Sequence, residues 1–503
     1  MNKICSSIIL KDYNNFVKRA KYLTDNNRFE DALKFVDAAV RIAYNFNFVY
    51  SDNDLEELLG RISEKTLGIS DVIPVKDRIV FYDYFGNTKV LTQQYLRAMI
   101  SWGVEILYIF ENSSEAKFNS EIIKELNEYP KATVVILEGS NHFIKMKQAK
   151  AAILLFAPSK AFLHIAPWDT IAVCVWNTFP GVDRYFINLT DHAFWLGKSC
   201  SDHILEFRNY GYNLSFQARG IEKDKLLLQP YYPIQNESKF EGFPLDLTGK
   251  IIGFSGSSFY KIYGRNGKFL QMIKRVIDEN ENFVFLLAGW GIDLPLRKFI
   301  RDNNLESRFV LIGERKDISQ VFAHIDIFIN TYPFIGGLMT QLAVVNKKPI
   351  ISYTTEDLAF NYIEEFLTVD SDKAGSIKDE NVFYSKIKKL IESDCERKEN
   401  IESYTNSIPT PEKFNDLLWR NCHDEAPISS IDEIVIDFEA VQTLYLEVEN
   451  NFLRLYHKLK MVSLGRLYFV HFPLSAIKCT LNIICNDSKT IKKYFLKVIK
   501  FKD

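Results

Sequence analysis

Several common signatures are missing from this 503-residue chain, and each absence closes a class of explanation. No GxxxxGK[ST] stretch occurs, which argues against nucleotide hydrolysis on a P-loop. No GxGxxG opens a strand–helix unit, which argues against a dinucleotide oxidoreductase. HExxH is absent, and no metal site is read from the primary pattern. The seven cysteines lie far apart, except Cys479 and Cys485, and form no CxxC pair. Reduced thiols in a cytoplasmic setting are therefore expected, rather than a disulfide frame or a zinc site. No run approaches the ~18 uninterrupted apolar residues of a membrane span. The apolar run in MNKICSSIILKDYNNF is too short for a secretory signal. Charge of one sign is lacking too: 62 Lys and Arg stand against 64 Asp and Glu, so nothing biases the whole chain toward nucleic acid.

What is present is an ordinary globular composition, 47% hydrophobic and 25% charged, on a length that implies more than one domain. The stretch IDIFINTYPFIGGLMTQLAVVNKKPIISY, 325–353, reads as strand, glycine loop, helix, strand. Pro333 ends the first strand because it has no N–H to donate. Gly336 and Gly337 fall where a helix should open, and unpartnered N–H groups there suit a phosphate. The plain alternative is an αβ connection with two turn glycines. Leu338, Leu342 and Val345 predict one apolar helix stripe.

Residues 1–75 read as helical, with an alanine-rich pair turning at Asp25-Asn26-Asn27 that resembles a single tetratricopeptide-like unit. From residue 76 to 235, RIVFYDYF, VEILYIF, ATVVILEG and IAVCVWNT read as buried strands with helices between them. From 236 to 420 a second run begins at KIIGFSG and continues through FVFLLAG and RFVLIG to the opening stretch. Alternation of this kind predicts two α/β domains, each with a parallel sheet, facing a cleft. Residues 421–503 differ: Phe438–Lys460 reads as one long helix, and the charge beyond Arg454 turns basic with aromatics interleaved. Two readings stand for this end, a surface resting on an anionic bilayer or a solvated tail with a back-crossing helix.

The candidate chemistry gathers in a few places. GFSGSSFYKIYGRNGK carries Gly253, Gly256, Gly264 and Gly267, read as a flexible loop, together with Ser257, Lys261 and Arg265. A diphosphate leaving group needs cations and N–H donors where its charge develops, and this loop shares a sheet edge with Gly336-Gly337. His192 lies between Asp191 and Phe194-Trp195, a setting for a general base beside a sugar-stacking aromatic; the alternative is a buried structural histidine. His164, His203 and His324 are read as structural.

Here the chain resembles a family. Phe259-Tyr260-Lys261-Ile262 after a strand, the Ile325–Asn330 strand with Thr331, and the glycine turn before KKPII look like the catalytic half of O-GlcNAc transferase-like enzymes. NLTDHAFWLGKSCSDHILEFRNYG, followed by ARGI and QPYYP, is similar to a block of bacterial surface-polysaccharide glycosyltransferases. The resemblance covers most of residues 15–420. It implies the GT-B fold and a nucleotide-sugar donor, with UDP as the commonest carrier, held mainly by the second α/β domain. It further implies a saccharide, lipid-linked saccharide or protein acceptor, no cofactor, no required metal, no nucleic acid, and a place in the cytoplasm or on the inner face of the membrane. Carried over, Lys261 contacts the diphosphate. Gly336, Gly337 and Thr340 hold phosphate. Gly289, Trp290 and Arg315 lie near the base, and His192 faces the cleft. Where relatives carry a ribose-binding carboxylate, Gln341 offers only a neutral partner. That departure keeps a non-catalytic GT-B binding partner in view. An epimerase on the same architecture is the third reading, and no paired carboxylates are read for it.

Overall fold

The computed structural model describes residues 6–84, 89–111, 120–235, 238–367, 375–423, 431–450 and 453–486. The chain divides into two compact units. One comprises Met1–Leu205, Ser215–Leu227 and Tyr445–Asp503; the other comprises Glu206–Leu214 and Leu228–Leu444.

Seven strands form the first sheet: β1 (Val75–Asp83), β2 (Glu105–Glu111), β3 (Ala132–Leu137), β4 (Pro158–His164), β5 (Asp183–Asn188), β6 (His203–Glu206) and β7 (Leu226–Leu228). Their order is β3-β2-β1-β4-β5-β6-β7, and β1 runs parallel to both β2 and β4. Helices cover it because a parallel sheet is apolar on both faces. The second sheet contains β8 (Ile251–Ser258), β9 (Phe283–Trp290), β10 (Phe309–Gly313), β11 (Ile327–Ile329), β12 (Ile350–Tyr353) and β13 (Ser376–Ile377), in the order β10-β9-β8-β11-β12-β13. Its core packs Phe254, Leu286, Phe322, Phe328 and Leu342, and burying each such side chain contributes roughly 1.5–3 kcal/mol. In both sheets the strand order reverses beside the first strand. Such a switch point opens a crevice at the carboxyl ends of the strands.

Two parts of the sequence reading change. IAVCVWNT is a helix, Thr170–Trp176, whose seven residues are all buried. A short apolar run has no periodicity to separate strand from helix; Asp169 decides it by accepting a hydrogen bond from the Ala172 N–H at 2.9 Å as an N-cap. The strand in that region is β4 instead. Likewise, Gly253 and Gly256 are not loop glycines, since β8 runs on to Ser258. A Cβ on Gly253 would overlap the Phe283 ring, and one on Gly256 the end of Met339, so these glycines serve close packing.

The basic end is not simply solvated. Helix is found over Phe438–Asn450 and over Leu453–Leu464, with 451–452 outside the described residues. The second of these packs on the N-terminal helices Ser6–Asp25 and Phe29–Phe46. Lys460 is buried, its Nζ 2.7 Å from Asp12 Oδ2, and the Tyr456 hydroxyl donates to the same carboxylate at 2.5 Å. Tyr468 and Phe472 meet Phe16 edge-on.

Candidate active site

In the second unit the crevice lies between β8 and β11, and the loops leaving those two strands touch. Lys261 Nζ donates to the Ile335 carbonyl at 2.9 Å, and the Phe334 N–H reaches the Lys261 carbonyl at 3.4 Å. The Tyr260 and Phe334 rings meet edge to face at 5.6 Å, and Gly264 has no room for a Cβ against Pro333. The structure thus brings Lys261, Pro333 and Gly336 together.

Asn330 shapes the glycine turn. Its Oδ1 accepts the Thr331 and Gly336 N–H groups at 3.0 and 3.1 Å, and its Nδ2 donates to Thr340 Oγ1 at 3.1 Å. Thr340 Oγ1 in turn donates to the Gly336 carbonyl at 3.0 Å, so this hydroxyl braces the turn from inside. The helix Gly337–Val345 then opens with Gly336 as N-cap and no side-chain cap. Its first N–H groups have no intrahelical acceptor, and they end the helix with partial positive charge. Gly337 is glycine because Phe366 occupies the space of a Cβ. Leu342 is buried, whereas Leu338 and Val345 are exposed, so the predicted apolar stripe narrows to its middle.

Beyond Lys261 the backbone holds three successive residues at positive φ, Arg265, Asn266 and Gly267. For the first two this conformation costs roughly 1–2 kcal/mol each. Arg265 forms an ion pair with Asp357. Ser257 Oγ is buried and meets no hydrogen-bond partner among the described residues. At the end of β9, Gly289 pairs with Ser257 and Trp290 with Ser258; Trp290 is 61% exposed, a large aromatic face at a strand's carboxyl end. Gly289 has φ +146°, and a Cβ there would overlap the Ser257 carbonyl oxygen. Gly289→Ala should therefore displace the strand end and destabilise the fold by about 3 kcal/mol or more. Thermal unfolding of the variant checks this, and an unchanged midpoint would contradict the packing described.

Two predicted binders are occupied within the protein. Arg315 donates to the Gly242 carbonyl at 2.7 Å and makes a two-pronged pair with Asp317 at 2.7 and 2.6 Å; hydrogen bonding from Arg315 holds the Asp317 carboxyl below its ordinary range although burial opposes it. Gln341 Nε2 donates to the Tyr231 and Phe366 carbonyls at 2.9 and 3.3 Å. Beside Gln341 lies a cavity of about 260 Å³ lined by Arg208, Tyr231, Glu364, Glu365 and Phe366 among others. Glu364 there accepts from the Ser376 N–H and hydroxyl, and Glu365 from the Tyr210 N–H.

In the first unit, His192 lies four residues after β5. Its Nδ1 is 3.0 Å from Asp191 Oδ1, with the imidazole partly exposed and Asp191 buried. Three polar groups fix this loop. Asn47 Nδ2 donates to the His192 carbonyl at 2.9 Å. The buried Arg219 donates to the Asp191 and Ala193 carbonyls at 2.8 and 2.7 Å. Glu56 accepts the N–H groups of Gly197, Lys198 and Ser199. Phe194 and Trp195 are core residues, Trp195 stacked on Phe186 at 4.3 Å, so neither offers the sugar-stacking face expected of it.

Sequence reasoning missed Asn330, Arg219 and Glu56. A polar residue closing the apolar run IDIFI was the available sign for Asn330; nothing local marks the other two, whose partners are distant in sequence.

No family model and no curated protein sequence matches this chain. Solved structures do. Anabaena Alr3699/HepE in complex with UDP and glucose aligns with a TM-score of 0.51 at 11% identity, over 69% of this chain and 99% of that one. The same protein in complex with UDP-glucose aligns at 0.50 and 12%, over 69% and 99%. The fold is the two-domain α/β arrangement called GT-B.

Proposed function

We propose that the chain is a glycosyltransferase that moves a hexosyl or N-acetylhexosaminyl group from a nucleoside diphosphate sugar, UDP-linked by default, to a hydroxyl of a saccharide, lipid-linked saccharide or protein acceptor. The observation that carries this reading is the meeting of the Lys261 loop with the uncapped helix at Gly337, at the switch point of the second sheet. That arrangement puts an ammonium group and helix N–H groups where a diphosphate would develop charge. The GT-B fold shared with a protein crystallised with UDP-glucose supports the same donor class.

In this reaction the acceptor oxygen attacks the anomeric carbon, the bond to the diphosphate oxygen breaks, and the acceptor proton passes to a base. Lys261 and the N–H groups from Gly337 onward stabilise the departing diphosphate without calling on a metal. Trp290 gives the base a face to stack on, next to Gly289. Ser257 adds a hydroxyl donor. Arg265 reaches the phosphates on release from Asp357, and Arg315 and Gln341 shape the donor pocket through their protein contacts. His192, oriented by Asp191, takes the acceptor proton.

A second reading, a GT-B protein that binds without turnover, draws on the engagement of Arg315 and Gln341 within the protein. A thermal-shift screen against UDP, GDP, CDP and dTDP sugars addresses both. Bound donor at 100-fold its Kd should stabilise the fold by about 2.7 kcal/mol. Stabilisation with release of nucleoside diphosphate on adding acceptor supports the enzyme, stabilisation without release in any acceptor mixture supports the binder, and no stabilisation by any nucleotide sugar sinks the site assignment.

A further inference from the structure

Residues 454–503 carry eleven Lys or Arg and two Asp, although the chain as a whole has a formal net charge of -2. Positive charge is thus gathered at this end against an acidic remainder, and Arg454 to Asn486 contains no acidic residue at all. Within that span the helix Pro473–Asn486 is apolar on two sides. Ala476 and Cys479 are buried in the first unit. Leu474, Ile477, Leu481 and Ile484 are exposed, Leu474 at 83% and Leu481 at 56%. At about 100° per residue these four fall within roughly 80° of the helix circumference, with Lys478 at the edge of the same face. The preceding helix Arg466–His471 exposes Phe469 and Val470, the latter at 67%. The one charged residue on this helix is Lys478, and an exposed apolar face of this kind in a basic segment suits a partner that is both apolar and anionic.

We propose that this face docks on an anionic lipid bilayer, with Leu474, Ile477, Leu481, Ile484 and Val470 entering the acyl boundary. Lys478 and Arg466 take the lipid headgroups. This is the physics of an interfacial helix rather than a span, and among the described residues no helix is long and apolar enough to cross a membrane. A second copy of the chain fits the charge poorly, because a two-fold contact would set two basic ends against each other. The assignment is independent of the donor site, which lies in the other unit.

The test is sedimentation of the full chain, without nucleotide, with vesicles of phosphatidylglycerol and phosphatidylcholine or of phosphatidylcholine alone, at low and high salt. Anionic vesicles should retain the chain, neutral ones should not, and salt should release part of it. The double variant Ile477→Glu/Leu481→Glu alters only exposed positions. It should lower the bound fraction by about 10-fold or more while thermal unfolding stays as in the native chain. No retention on anionic vesicles would overturn the proposal. So would full retention of the double variant with loss on deleting 487–503, which would leave charge alone as the attraction. A native chain that is dimeric and turns monomeric in the double variant, with vesicle retention unchanged, would assign the face to a second copy instead.

Discussion

Lys261→Ala is expected to slow turnover by roughly 10²–10³ while the protein remains folded. The argument is geometric. Lys261 lies at the carboxyl end of β8, the strand beside which the sheet order reverses, and its ammonium already reaches the loop that ends in the uncapped helix. With donor bound, the same group can leave the Ile335 carbonyl for the diphosphate, exchanging a neutral acceptor for a charged one, which strengthens the hydrogen bond. The gain grows as the anomeric bond breaks and charge builds on the leaving oxygen, so the loss should appear in the chemical step more than in donor affinity. Lys261→Arg should recover part of the rate, since it keeps the charge with different geometry. Single-turnover rates with donor titrations separate the two terms. A folded alanine variant with native turnover removes Lys261 from the mechanism.

The second large effect is expected at His192. If the imidazole takes the acceptor proton in an inverting reaction, His192→Ala should lower the chemical step by roughly 10²–10⁴ and leave donor binding nearly unchanged. Asp191 beside Nδ1 fixes the ring and leaves Nε2 as the basic atom. If the reaction retains configuration, His192 contacts the donor sugar, and the loss is smaller and shows partly in donor affinity. A variant with native rate and native binding returns His192 to a structural role held by Asn47 and Arg219.

Much of the fold was legible because strand–helix alternation leaves a strong mark: the run from KIIGFSG to KKPII yielded the order of the second sheet's elements, and Gly336-Gly337 marked the helix that opens there. The failures have physical causes. IAVCVWNT carries no periodicity, and only its Asp169 cap distinguishes helix from strand. Trp195 beside His192 suggested a sugar platform, but local sequence cannot say which way an aromatic points; it stacks on Phe186 in the core. Gly253 and Gly256 signalled a loop by type, yet their role depends on Phe283 and Met339. The polar clamps on the His192 loop come from residues up to 145 positions away, beyond any motif.

The central claim is that a nucleoside diphosphate sits at the junction of the Lys261 loop and the Gly337 helix. The structure of the chain with UDP bound tests it most directly. The account predicts diphosphate oxygens within hydrogen-bond distance of Lys261 Nζ and of the first N–H groups of the Gly337–Val345 helix, with the uracil against Trp290. Diphosphate density away from both elements, at a UDP concentration that saturates binding, would contradict it.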